Sequence, residues 1–226
     1  MNIQGYQKVT LLDFPGLVAC TVFLGGCNLR CPFCHNAGLV RTPWAEANAY
    51  DEVMDYLTKR KSILQGVCIT GGEPLLQPDL PELLRKNKDM GYAVKLDTNG
   101  SLPKQLARAL STGYVDYVAM DIKHAPNAYS RATGCDLEFA PFEESIRLIR
   151  ESGLPYEFRT TAVKGIHTLE DLEAIAAYLG DEPYFIQKFV DSGNLLSTGF
   201  SAFSYQETQA ILSAVRNHSP RASLRG

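Results

Sequence analysis

No apolar run in these 226 residues approaches the roughly 20 that a helix needs to cross a bilayer. The longest, Leu17 to Leu24, is short and follows Asp13 instead of a basic region, so it does not read as a secretory signal. An excess of one charge is also missing. The 22 basic and 25 acidic residues leave a net charge of −3, which gives no electrostatic reason to expect nucleic acid or an anionic membrane as partner. Internal repeats, low-complexity tracts and Gly/Ser linkers are absent, so a single domain over residues 1–226 is the simplest organisation. A cytoplasmic location is the expectation that these absences leave.

The chain has the means to fold: its hydrophobic fraction of 45% supports a proper core. Apolar, β-branched runs at Leu17 to Leu24, Gly66 to Thr70, Tyr92 to Leu96, Val115 to Met120, Tyr156 to Val163 and Tyr184 to Val190 predict six strands. Helical patterns fall between and after them, over Ala47 to Arg60, Asp79 to Met90, Pro103 to Ser111, Phe139 to Ser152, Leu169 to Leu179 and Ser204 to Arg216. This alternation makes parallel βαβ units, hence an α/β fold: a doubly wound sheet or a (β/α) barrel of six units. Both place their chemistry at the carboxyl ends of the strands. The segments to read are therefore Gly25 to Asn36, Gly71 to Pro74, Asp97 to Gly100 and Asp121 to His124.

Six cysteines are present, and three crowd into eight residues as Cys27-x3-Cys31-x2-Cys34. A chain of this size with a real core has no need of disulfide staples, so the cluster reads as metal ligation in a reducing compartment. Three thiolates at this spacing can hold three corners of a cubane iron–sulfur cluster and leave one iron open. Zinc is the competitor, since thiolates serve it as well. Cys20 and Cys68 lie inside apolar strands and read as small core hydrophobes. Cys135 reads as a loop residue and His124 and His167 as loop histidines; Trp44 and Tyr50 read as cover for the first helix.

The cysteine spacing, with Phe33 before the last cysteine, resembles the signature of the radical S-adenosylmethionine superfamily. Gly71-Gly72-Glu73-Pro74, directly after the second strand, is similar to that family's GGEP segment. The resemblance runs over nearly the whole chain. It implies a partial (β/α)6 barrel open on one side, with one 4Fe–4S cluster on Cys27, Cys31 and Cys34. In this family the amino and carboxylate groups of S-adenosylmethionine chelate the open iron. Reductive cleavage then gives methionine and a 5′-deoxyadenosyl radical, so no side chain acts as the abstracting agent. Gly71 and Gly72 would let backbone approach the cofactor, Glu73 would accept from its ammonium group, Phe33 and His35 would lie beside its adenine, and Cys34 would be among the cofactor contacts.

Finer text narrows the branch. Cys34-His35-Asn36 resembles activators of glycyl radical enzymes, and Gln7 to Gly16 resembles the activating proteins of anaerobic ribonucleoside-triphosphate reductase. Asp121-Ile122-Lys123 and the Tyr129 to Gly134 turn are similar to the same branch. By this resemblance Lys123 would reach the cofactor's carboxylate and Asp97, Thr98 and Asn99 would sit near its ribose and methionine end. A monovalent cation on Asp97, Thr98 and Asp121 would relieve the repulsion between their carboxylates and that of the cofactor. Gln187 stands where pyruvate formate-lyase activases have a histidine, and is a polar contact in its place. The implied partner is the large subunit of the anaerobic reductase. The cysteines needed for further clusters are missing, so flavodoxin or ferredoxin would supply electrons. Two other readings stay open: another glycyl radical enzyme or a small molecule as target, and a non-catalytic zinc-binding module.

Overall fold

The computed structural model describes residues 1–41, 49–191 and 193–225. Trp44 and the first two residues of the expected helix from Ala47 lie outside them. Two compact units are present. The first comprises residues 1–28, 38–119 and 141–155, the second 29–37, 120–140 and 156–226. No helix among the described residues is long and apolar enough to cross a membrane.

In the first unit four strands pair in chain order: β1 (Ile3–Thr10), β2 (Ala19–Leu24), β3 (Gly66–Gly71) and β4 (Ala93–Thr98). β2 runs parallel to β3 from Ala19 opposite Gly66 to Leu24 opposite Gly71, and β3 parallel to β4 from Gly66 opposite Ala93. Parallel strands buried on both faces carry unbroken apolar text, and β2 is buried at Ala19, Cys20, Thr21, Val22 and Leu24. Cys20 and Cys68 are fully buried, and burial pushes the Cys20 thiol up to about 12. β1 is the strand that the pattern misses. It is antiparallel to β2, and its last turns are exposed at Gln7, Lys8 and Val9, which hides any apolar period.

Helices cover this sheet with stripes of buried leucine and valine. After the short α1 (Ala37–Arg41) come α2 (Tyr50–Lys59), α3 (Leu80–Asp89) and α4 (Pro103–Ser111). Val53 and Leu57 are buried on α2, Leu80, Leu83 and Leu84 on α3, and Leu106 and Ala109 on α4. Pro81 and Pro103 fall in the first turn, where a missing N–H costs nothing. The strand β5 (Tyr117–Asp121) has residues in both units.

The second unit holds α5 (Tyr129–Thr133), most of the chain after α6 (Ala140–Glu151), and β6 (Tyr156–Ala162), α7 (Leu169–Leu179), β7 (Tyr184–Lys188), α8 (Tyr205–Val215) and β8 (Ser223–Arg225). β6, β7 and β8 pair in parallel. Thr168 and Ser204 open α7 and α8 as full capping boxes with Asp171 and Glu207, which fixes those helix starts to the residue. β8, only three residues long, is anchored by chemistry instead of length. Arg225 forks onto the fully buried Glu157 at 2.6 and 2.7 Å and stacks 3.8 Å over the Phe185 ring. Removing the arginine leaves a buried carboxylate without its main partner. Arg225→Ala is therefore expected to cost about 3 kcal/mol and to lower Tm by roughly 6–12 °C in a thermal melt, and Arg225→Lys to recover only part of it.

Candidate active site

In the first unit the ends of β2, β3 and β4 carry three of the polar segments. Gly71 has φ +126°, and a Cβ there would sit 2.3 Å from the Leu24 backbone; a Cβ on Gly72 would sit 2.0 Å from the Gly26 carbonyl oxygen. The Glu73 N–H donates to that same oxygen at 2.8 Å. The glycines thus admit chain against chain: they let β3's end press on Leu24 and Gly26, just before Cys27.

Glu73 is fully buried and already engaged. Its Oε1 accepts from the Leu75 N–H at 3.1 Å and from the Thr98 hydroxyl at 2.9 Å, and its Oε2 accepts from the Asn99 N–H at 2.7 Å. Charge-assisted bonds of this kind make it the clamp between the β3 and β4 ends. Thr98 accepts in turn from the Gly100 N–H at 3.0 Å. Asn99 is then held so that its amide reaches the Cys27 Sγ at 3.8 Å and the Asn28 Oδ1 at 3.1 Å, while Asn28 donates to the Ser101 hydroxyl at 2.7 Å. A donor on a thiolate stabilises the charged form and tunes any cluster it binds. Asp97 is paired with Lys95, its neighbour on the same strand face. Asn28, Ser101 and Lys95 were not singled out by the sequence reading.

In the second unit the loop of Cys31 and Cys34 rests on the α5 turn. The Arg30 N–H donates to the Thr133 carbonyl at 2.8 Å, and Gly134, at φ +64°, is the residue whose Cβ would strike the Arg30 carbonyl at 2.1 Å. That is the physical content of the Thr-Gly turn. Cys31 is buried and Cys34 partly so. Phe33 is buried edge-on to His167, with centroids 6.2 Å apart, and His35 lies 5.3 Å from the Phe189 ring. Gln187 lines a small cavity with Phe203, Thr208 and Ile211.

Asp121 accepts from Lys123 Nζ and from Arg159 Nε, both at 2.9 Å. Burial alone would raise its carboxyl, but the two cations outweigh that and hold it well below the usual carboxylate range. Burial would likewise lower Lys123, and the charges of Asp121 and Cys31 overcome it and push the ammonium up. The lysine is therefore a fixed positive charge facing Cys31. With Lys95 on Asp97, and Lys123 and Arg159 on Asp121, both carboxylates already have protein cations, and the Thr98 hydroxyl both donates and accepts. Among the described residues no three His, Cys, Asp or Glu side chains are grouped to hold a single metal ion.

His124 and His167 lie in loops, as expected, but both are buried and stacked 5.2 Å apart. His167 Nδ1 accepts from the Val163 N–H at 3.1 Å, so its Nε2 carries the proton and donates to the Lys123 carbonyl at 2.9 Å. Burial holds His167 down at about 4. Because that is below the unfolded value of about 6.5, its stabilising contribution is complete above pH 6.5 and is lost as pH falls towards 4. The expected loss is about 1.4 kcal/mol per pH unit, roughly 3 kcal/mol over that window. Burial lowers His124 in the same direction. Urea unfolding of the wild type between pH 7 and 4 is expected to show this slope, and His167→Gln to flatten it.

Residues 21–179 match the Radical SAM superfamily. A protein of Methanocaldococcus jannaschii, named as a glycyl-radical enzyme activating enzyme, is 30% identical over 196 residues, covering 83% of this chain and 79% of its own. The 7-carboxy-7-deazaguanine synthase of Methanopyrus kandleri is 28% identical over 212 residues, covering 83% and 77%. Among solved structures, Streptococcus suis SuiB bound to S-adenosylmethionine aligns with a TM-score of 0.69 at 15% identity, over 88% of this chain and 48% of that one. That likeness is one of fold: the α/β partial barrel expected from the sequence.

Proposed function

We propose that this chain, which belongs to the radical S-adenosylmethionine superfamily, activates a glycyl radical enzyme, and that its target is an anaerobic ribonucleoside-triphosphate reductase. Enzymes of this superfamily work with a 4Fe–4S cluster and S-adenosylmethionine, which when bound and reduced supply the radical that takes a hydrogen atom. The protein's part is to hold, orient and shield. The donor set fits a cluster: Cys27, Cys31 and Cys34 are its ligands in this reading, with the Asn99 amide on Cys27 and the Lys123 ammonium facing Cys31, both favouring thiolates.

Lys123 also has donors to spare for the carboxylate of S-adenosylmethionine, and His167 fixes its backbone. Glu73 sets the position of Thr98 and Asn99 from behind. Phe33, His35 and Gln187 are read as lying along the adenosine. Likeness to a named activating enzyme over most of both chains carries the activase assignment. The reductase as target rests on Gln7 to Gly16. There Thr10 caps the turn by accepting from the Leu12 and Asp13 N–H groups at 3.2 Å, Phe14 is buried, and Leu11 and Leu12 are left 70% and 73% exposed. A fixed apolar knob of this kind is suited to contact with a protein. Flavodoxin or ferredoxin is the electron donor in this reading, and the cytoplasm its location.

The similarity to 7-carboxy-7-deazaguanine synthase favours a second reading, a small-molecule substrate. Anaerobic incubation with reductant and S-adenosylmethionine separates both from a zinc module. Either enzyme reductively cleaves S-adenosylmethionine, whereas a zinc module leaves it intact.

A further inference from the structure

The carboxylates at the β4 and β5 ends need a counter-charge, and the protein supplies it. Lys95 is fully buried on β4, opposite Cys68 of β3. Its ammonium donates to the Asp97 carboxylate, lies 3.9 Å from the Cys68 Sγ, and sits 5.9 Å from the centroid of the Tyr117 ring. A lysine so enclosed cannot reach bulk water, and only an ionised partner makes its charge tolerable. Asp97 is that partner, two residues on along the same strand face. The oxygens that a bound metal ion would need are committed as well, since Thr98 donates to Glu73 and accepts from Gly100. In the second unit Asp121 is neutralised separately by Lys123 and Arg159.

We propose that Lys95 is a positioning residue that takes the place of a monovalent metal ion, so that S-adenosylmethionine binds without potassium or sodium. The ammonium carries the same single charge as such an ion, but it is tethered to the strand and needs no capture from solution. A second cation brought to Asp97 would meet the charge of Lys95 and be repelled. The inference rests on the proposed function only in taking Asp97 to lie near the cofactor.

The test compares cluster-loaded protein in potassium, sodium and choline chloride at equal ionic strength, reading S-adenosylmethionine affinity by equilibrium titration and Tm by thermal unfolding. Wild-type affinity is expected to agree within about twofold across the three salts, with the same Tm. Lys95→Met leaves Asp97 uncompensated; in choline its affinity is expected to fall roughly tenfold or more and to recover, saturably, on adding potassium or sodium. A purely structural lysine would give no such rescue. A wild type that binds tenfold more tightly in potassium or sodium than in choline overturns the inference, as does a folded Lys95→Met that matches the wild type in choline. The wild-type comparison stands even where Lys95→Met does not fold. Should no salt allow S-adenosylmethionine to bind, the functional reading fails. Tm then tests the part that needs no cofactor: equal values uphold Lys95 as the counter-charge of Asp97, and a wild type stabilised by the metal cations refutes it.

Discussion

A Cys31→Ala protein reconstituted anaerobically with iron and sulfide is expected to hold no intact 4Fe–4S cluster and to release no 5′-deoxyadenosine above background. A cluster with only three protein ligands has none to spare, so the loss should exceed the 10–100-fold that outer-shell partners of a metal site typically cost. Cys31 is also the thiol that faces Lys123, and its removal leaves that partly buried ammonium with Asp121 as its main counter-charge. Cys20→Ala is the control. Its thiol is equally buried but belongs to β2's core face, so the variant should lose about 1 kcal/mol of stability and keep its cluster. Iron and sulfide content, followed by a single-turnover assay, reads both.

Gly72→Ala should be nearly as damaging, for a different reason. Its Cβ would overlap the Gly26 carbonyl oxygen at 2.0 Å, and that atom is backbone, which has no rotamer to yield. Gly26 immediately precedes Cys27, and its oxygen accepts from Glu73. Forcing the two strand ends apart thus displaces Cys27, a ligand in the proposed reading, and the carboxylate clamp together. A stability loss of about 3 kcal/mol is expected, with cluster occupancy falling further than stability alone explains. Gly5→Ala, where a Cβ meets nothing within 4 Å, should change neither. Denaturant midpoints and iron content measured on both variants separate a local clash from general intolerance of the β-methyl group.

Much of this fold was legible because its boundaries are chemical. Pro103 and the Thr168 capping box fix α4 and α7 to the residue, and the apolar runs of β2 to β7 announce a parallel sheet. β1 escaped because its second half alternates nothing, and β8 because three residues carry no period. The cysteines and the glycine–glutamate turn stood out by spacing, but their internal roles did not. Nothing in Gly71-Gly72-Glu73 says that the glycines serve the Leu24 to Gly26 backbone, or that the glutamate is spent on Leu75, Thr98 and Asn99. Lys95 carries no signal of its own in Ala93-Val94-Lys95-Leu96-Asp97. Only its place two residues before Asp97, on one strand of a sheet buried on both faces, marks the two as a pair. His124 and His167 lie 43 residues apart in the chain, and only the packing of the second unit stacks them.

The central claim is that this chain makes a radical on the backbone of another protein. Electron paramagnetic resonance tests it most directly: the reduced, cluster-loaded enzyme is mixed anaerobically with S-adenosylmethionine and the large subunit of an anaerobic ribonucleoside-triphosphate reductase. The account predicts a glycyl radical doublet that requires all three components and disappears with Cys31→Ala. A mixture that forms 5′-deoxyadenosine but shows no doublet, with this subunit or any other glycyl radical enzyme, would contradict it.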